Sequence, residues 1–194
     1  MSVPEALHTR AEDNLRFIRD QMSKAGHFTA VPGWGGVAMG VTAIATAAVT
    51  SRVPGREEWL GWWLVEAAIA VMIAAFTMLR KAKRLDLPLF AAPAKRFALA
   101  YLPALAAAAV LTVVFGIHQM WAELPGFWLL MYGVAIAAAG TLSVRVVQAM
   151  GLVFMALGAV ALLAPAGYGD LFMAAGFGGL HIVFGVIIAR NHGG

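Results

Sequence analysis

Two ionisable residues stand inside long apolar runs and could do chemistry there. Glu66 lies in "LGWWLVEAAIAVMIAAFTMLR" and His181 in "GFGGLHIVFG". At 1.5 Å per helical residue, Glu66 sits about 10 Å from the start of its run at Trp59, and His181 about 15 Å from Leu171. Their depths therefore differ by only about 5 Å. A carboxylate and an imidazole at matching depth could share a proton or hold a small ligand. They could equally be structural: a hydrogen bond between helices, or a protonated Glu66 bonded to a threonine or tryptophan. An unpaired charge in such a setting is costly, so both should face neighbouring helices.

Small residues flank both groups at helical spacing: Ala70, Ala74 and Thr77 near Glu66, and Ala174, Gly178 and Gly185 near His181. Similar stripes run through Gly36, Gly40, Ala43 and Ala47, and through Gly133, Ala137 and Gly140. Such stripes let helix backbones approach, which predicts contact faces and a tightly packed bundle without a wide pore. Thr77, Tyr132, Arg145 and Gln148 are secondary polar candidates. Pro103 marks a hinge or a packed kink. His118 and His27 do not match the depth of His181, so a paired-histidine haem site is not expected. No zinc pattern, phosphate loop or nucleophile elbow is present, so neither metal nor cofactor nor catalysis is expected.

The elements that position these residues follow from composition. The chain has 194 residues, 61% hydrophobic and 12% charged, more apolar side chain than a soluble domain of that length can bury. The expected class is an all-α membrane protein with six candidate spans, near 33–50, 59–79, 97–117, 126–142, 147–164 and 171–189. A tight turn at Arg145 divides the fourth from the fifth. Short outer connections pair the spans as three hairpins. The second helix of each ends on an arginine (Arg80, Arg145 and Arg190), a pattern consistent with a threefold hairpin repeat.

All Lys and Arg residues except Arg52 and Arg56 fall on one side of this topology. That places both termini in the cytoplasm and the chain in the cell's inner membrane. It also explains the net charge of +4 without a nucleic-acid partner. Six of the basic residues lie in the longest loop, about residues 80–96. Trp59, Trp62, Trp63, Trp121 and Trp128 gather at the outer ends, as an interfacial aromatic belt would. The first 30 residues hold both charge signs and no apolar stretch, so no signal peptide is expected.

The domain division expected is a cytoplasmic amphipathic helix over 1–27 and a transmembrane domain over 28–194. Leu7, Leu15, Ile18 and Met22 form the apolar stripe of the first. The stripe would lie on the membrane face, or contact a cytosolic partner or a second copy. The stretches "DNLRFIRDQMSKAGHFTAVPGWGGVAMG" and "MAAGFGGLHIVFGVIIAR" resemble those of small six-span bacterial integral membrane proteins that are uncharacterised. The resemblance implies the membrane class and neither an activity nor a site residue. Two functions therefore stand side by side: a non-enzymatic structural or regulatory module, and a small proton-linked transporter or ligand carrier using Glu66 and His181.

Overall fold

A computed structural model describes Asn14 and residues 31–84 and 92–192. The stripe Leu7, Leu15, Ile18 and Met22, the 1–27 helix and His27 lie outside the described residues. Six helical segments follow one another: α1 (Gly33–Thr50), α2 (Arg56–Arg84), α3 (Ala92–Ile117), α4 (Leu124–Gly140), α5 (Arg145–Leu163) and α6 (Ala166–His192). All but α4 are long and apolar enough to cross a membrane, and α4 is a shorter apolar helix. The α4–α5 break falls at residues 141–144, immediately before Arg145, as the polar cluster there predicts. The basic residues expected in a loop over 80–96 mostly belong to helices: Arg80 to Arg84 end α2, while Lys95 and Arg96 begin α3.

Helix α6 is not uniform. A 3-10 turn (Ala166–Tyr168) and a short α-helical stretch (Gly169–Met173) lead into a π-helical segment (Ala174–Leu180). A regular α-helix then runs over His181–His192. The expected arginine ends are not where these helices stop: α2 runs on to Arg84, α4 ends at Gly140 with Arg145 opening α5, and α6 runs on to His192. The three also differ in detail, since only α6 carries a π segment, and α2 buries four residues along its length where α4 buries ten.

Glycine sets the packing. The closest helix pairs are α4 with α5 and α1 with α6, rather than the partners expected to form the three hairpins. A Cβ built on Gly40 would lie 2.6 Å from the carbonyl oxygen of Gly178, and one on Gly36 would lie 3.3 Å from Cα of Gly185. On the other pair, a Cβ on Gly133 would meet the Gly151 oxygen at 2.8 Å, and one on Gly126 the Leu162 nitrogen at 2.7 Å. Three of the four small-residue stripes read from the sequence are therefore true contact faces.

The fourth is one only in part. Thr77 packs on Gly35 of α1, while Ala70 and Ala74 line the space toward α3, because α2 packs on α1 and α3 packs on α4, and α2 and α3 make no extended contact with each other. No residue of α3 is buried. Ala67, Ala70 and Ala74 of α2 face Ala108 and Ala109 of α3 across open space instead. The expectation of uniformly tight packing fails here for a physical reason. Alanine lets helices approach only where their backbones meet; where they diverge, it leaves a void.

Polar side chains tie α2 to α1, to α6 or to both at three levels. At the end carrying the 51–55 connection, Thr50 Oγ1 and Trp59 Nε1 both donate to Asp170 Oδ1, at 2.7 and 2.8 Å. Midway, Thr42 and Thr46 donate to Glu66. At the opposite end, Lys81 Nζ donates to the carbonyls of Val31 (3.0 Å) and His192 (2.8 Å). The second of these is an orphan carbonyl at a helix C-terminus, where a cation is doubly favourable.

Substituting Gly40 with leucine should force α1 off α6. The expected cost is roughly 1–3 kcal/mol, read as a lowered unfolding temperature in detergent. Gly61→Leu is the matched control, since nothing lies within 4 Å of a Cβ built there. Equal melting temperatures for the two variants would contradict the packing described.

Candidate functional site

Glu66 and His181 do not bond each other, but they border the same space. A cavity of about 760 Å³ lies between α2 and α3, with α1, α4 and α6 closing its inner side. It follows α2 from Glu57 to Ala74, about 25 Å of helix by rise. Most of its wall is apolar. The polar groups on it are few and come from four helices.

Glu66 is 5% exposed and hangs from α2 toward α1. Thr42 Oγ1 donates to its Oε1 at 2.8 Å and Thr46 Oγ1 to its Oε2 at 3.3 Å. These threonines are one helical turn apart, so both reach one carboxyl group. The bond to a threonine, one of the alternatives the sequence left open, is the one realised.

His181 is also 5% exposed, and the π segment of α6 prepares its place. Its backbone N–H bonds the carbonyl of Gly178, so the carbonyl of Phe177 is not engaged by that amide. The imidazole Nδ1 takes it at 2.9 Å. A carbonyl only accepts, so Nδ1 must carry the proton, and neutral Nε2 is an acceptor. The Tyr132 hydroxyl lies 2.8 Å from Nε2 and therefore donates to it. The Tyr101 ring meets the Tyr132 ring edge-on at a centroid distance of 6.3 Å. The result is a directed chain from Tyr132 of α4 through His181 of α6 to the Phe177 carbonyl, with Tyr101 of α3 packed beside it.

Aromatic rings pack around this chain. Phe177 is stacked on His181 with planes 18° apart, and Phe154 meets both His181 and Tyr132 edge-on at centroid distances of 5.3 and 5.0 Å. Toward the end carrying the 51–55 connection, Trp59 is stacked on Trp128 at 5.8 Å and tilted against Trp63 at 6.1 Å. The expected aromatic belt is thus only partly an interfacial one. Trp62 is exposed, but Trp63 is 3% exposed and Trp59 and Trp128 stack between helices. Indole rings of this size are needed to fill the space where α2 departs from α4. Trp128 Nε1 donates to Thr112 Oγ1 of α3 at 2.8 Å. Trp63 Nε1 is the one buried side-chain polar atom among the described residues without a hydrogen-bond partner. Trp63 is part of the cavity wall.

Of the secondary candidates, the structure brings Tyr132 to the site and leaves the others elsewhere. Thr77 donates to the Ile73 carbonyl at 2.6 Å and packs on Gly35 of α1. Arg145 opens α5 and is exposed, and Gln148 packs its backbone on Gly140. Tyr101, Trp63, Thr42 and Thr46 were not singled out from the sequence. A signal existed for the threonines: Thr42, Thr46 and Thr50 repeat every fourth residue in an apolar helix, and each bonds an acid on another helix. Comparison of the chain with protein-family models, with curated proteins and with solved structures gives no match.

Removing the Tyr132 hydroxyl leaves His181 Nε2 buried without a donor. Tyr132→Phe should therefore cost about 1–3 kcal/mol of stability. In a double-mutant cycle with His181→Phe the coupling should be about 1 kcal/mol, since the loss of either partner removes the same bond. A coupling of zero, measured by thermal unfolding in detergent, would contradict the assigned chain.

Proposed function

We propose that this is a multi-pass inner-membrane protein that binds a small amphipathic ligand within the bilayer, in the cavity between α2 and α3. Both termini lie on the cytoplasmic side in this reading, following the distribution of Lys and Arg. The six helices form one bundle, with α4 sheltered by its neighbours and α3 facing lipid. A small-ligand carrier fits the site better than a purely structural module. No enzymatic step is assigned.

The cavity is the observation that supports this reading. Its volume falls in the roughly 300–1,000 Å³ range of small-molecule sites. Its wall combines a wide apolar surface with a few convergent polar groups, the usual makeup of such sites. Trp63 adds a buried N–H that needs an acceptor, and a ligand or water in the cavity can supply one. The gap between α2 and α3 offers a lateral path from lipid, so the ligand is one that partitions into membranes. Its depth would be fixed by Glu66 and the tyrosine–histidine chain.

The opposing reading is a rigid structural module. The local hydrogen bonds of Glu66 and His181 favour it, because each group has partners without any ligand. The two readings separate on occupancy. A neutral solvatochromic dye added to the purified protein should bind at a single saturable site, with a blue-shifted emission. Ala108→Trp, which places an indole in the cavity, should abolish that binding while leaving the melting temperature near that of the parent. Dye binding that survives Ala108→Trp unchanged, or no saturable binding at all, would favour the structural module.

A further inference from the structure

The charge on the cavity wall identifies the class of ligand. Among the described residues that line the cavity, the formally charged groups are Glu57 and Glu66, and none is lysine or arginine. Every lysine and arginine of the described helices lies outside it, although the chain as a whole is cationic with a net charge of +4. Glu66 is held by two threonine hydroxyls, and no cationic side chain among the described residues bonds it. Two hydroxyl donors are weak compensation for a buried carboxylate, which ordinarily pairs with a positive charge or gives up its own.

The rest of the wall matches the same partner. Six aromatic residues line the cavity: Trp63, Trp121 and Trp128, with Tyr101, Tyr132 and Phe177. Aromatic faces carry negative potential and attract organic cations, more strongly where water is excluded. The tyrosine–histidine chain does not oppose this. Its protons point inward, from Tyr132 to His181 to the Phe177 carbonyl, so neither the Tyr132 hydroxyl nor the imidazole offers a free proton to the cavity. An anionic ligand would meet two carboxylates, π faces and one indole N–H.

We propose that the cavity binds a lipophilic organic cation, a quaternary ammonium or aryl phosphonium type of molecule, with Glu66 as its counter-ion and the aromatic wall around its apolar groups. This rests on the ligand-binding reading above and names the chemistry of that same site. Protons compete with the cation for Glu66. When the site is empty the carboxyl group can be neutral by protonation, and the proton leaves as the cation arrives. The titratable groups facing this space are Glu57 and Glu66 from α2, Tyr101 from α3, Tyr132 from α4 and His181 from α6; α1 presents the hydroxyls of Thr42 and Thr46.

Two ions of almost the same shape and opposite charge test this. Tetraphenylphosphonium should displace the neutral dye from the purified protein, and tetraphenylborate should do so at least about tenfold less well. Glu66→Gln should weaken the phosphonium about tenfold more than it weakens the neutral dye, and erase the preference for the cation over the borate. The wild-type protein supplies a second measurement that does not depend on that variant folding. Lowering the pH should weaken the phosphonium and leave the neutral dye unaffected. Equal displacement by the two ions, phosphonium affinity unchanged in Glu66→Gln, or no weakening in acid would overturn the proposal. A protein that binds the dye but not the cation overturns this inference alone. One that binds neither overturns the cavity reading and this inference with it.

Discussion

The arrangement depends on backbone contact at glycine. Two helix pairs, α1 with α6 and α4 with α5, meet so closely that a single added Cβ would collide with backbone atoms of the neighbour. Helices that approach this far use dispersion between backbones in place of side-chain interdigitation. Once those two pairs are fixed, α2 and α3 are left on the outside. Each packs on one member of a pair, and neither has a glycine seam with which to meet the other. The cavity is what remains between them. It is a consequence of where the glycines are, and of alanine on the facing sides of α2 and α3.

Polar side chains then decide how the pairs are joined. Asp170, Glu66 and Lys81 act at three heights: Asp170 joins α6 to α1 and α2, Glu66 joins α2 to α1, and Lys81 joins α2 to Val31 and to the end of α6. The bond from Tyr132 to His181 joins that unit to α4, and the Trp59–Trp128 stack does the same at the end carrying the 51–55 connection. The π segment of α6 ties local backbone geometry to the site. Just past it the His181 amide bonds Gly178 and the imidazole Nδ1 bonds the Phe177 carbonyl, and that orientation fixes which nitrogen receives the Tyr132 proton. Irregular turns of this kind are found mainly where a helix must aim a side chain, and His181 is the side chain aimed here.

Much of the helical framework was legible from composition and hydropathy. The span read over 33–50 is α1 as observed (Gly33–Thr50), and the break before Arg145 is where the polar cluster placed it. The glycine stripes around Gly36, Gly133 and Gly185 were read correctly as contacts, because their only advantage in a helix is close approach. The same rule misled at Ala70 and Ala74. Alanine at helical spacing has the same pattern whether it touches a backbone or faces a void, and only the path of the partner helix distinguishes the two. Trp63 was misplaced for a related reason. Clustering near helix ends is shared by interfacial tryptophans and by those that fill a gap between diverging helices. Glu66 and His181 were legible as residues that must face inward. Their pairing was not, since Thr42, Thr46 and Tyr132 lie on other helices at distances in sequence that no local pattern relates.

The central claim is that the space between α2 and α3 is open to water and ligand although it lies among apolar helices. The chain has no cysteine, so single thiols can be introduced without background. The most direct measurement is the rate at which a hydrophilic thiosulfonate modifies Ala70→Cys, on the cavity wall, compared with Val65→Cys, exposed on the opposite side of the same helix. Reaction needs thiolate and therefore water, so in lipid nanodiscs the Ala70 position should react at least about tenfold faster. Equal rates, or an inert Ala70→Cys beside a reactive Val65→Cys, would contradict the account.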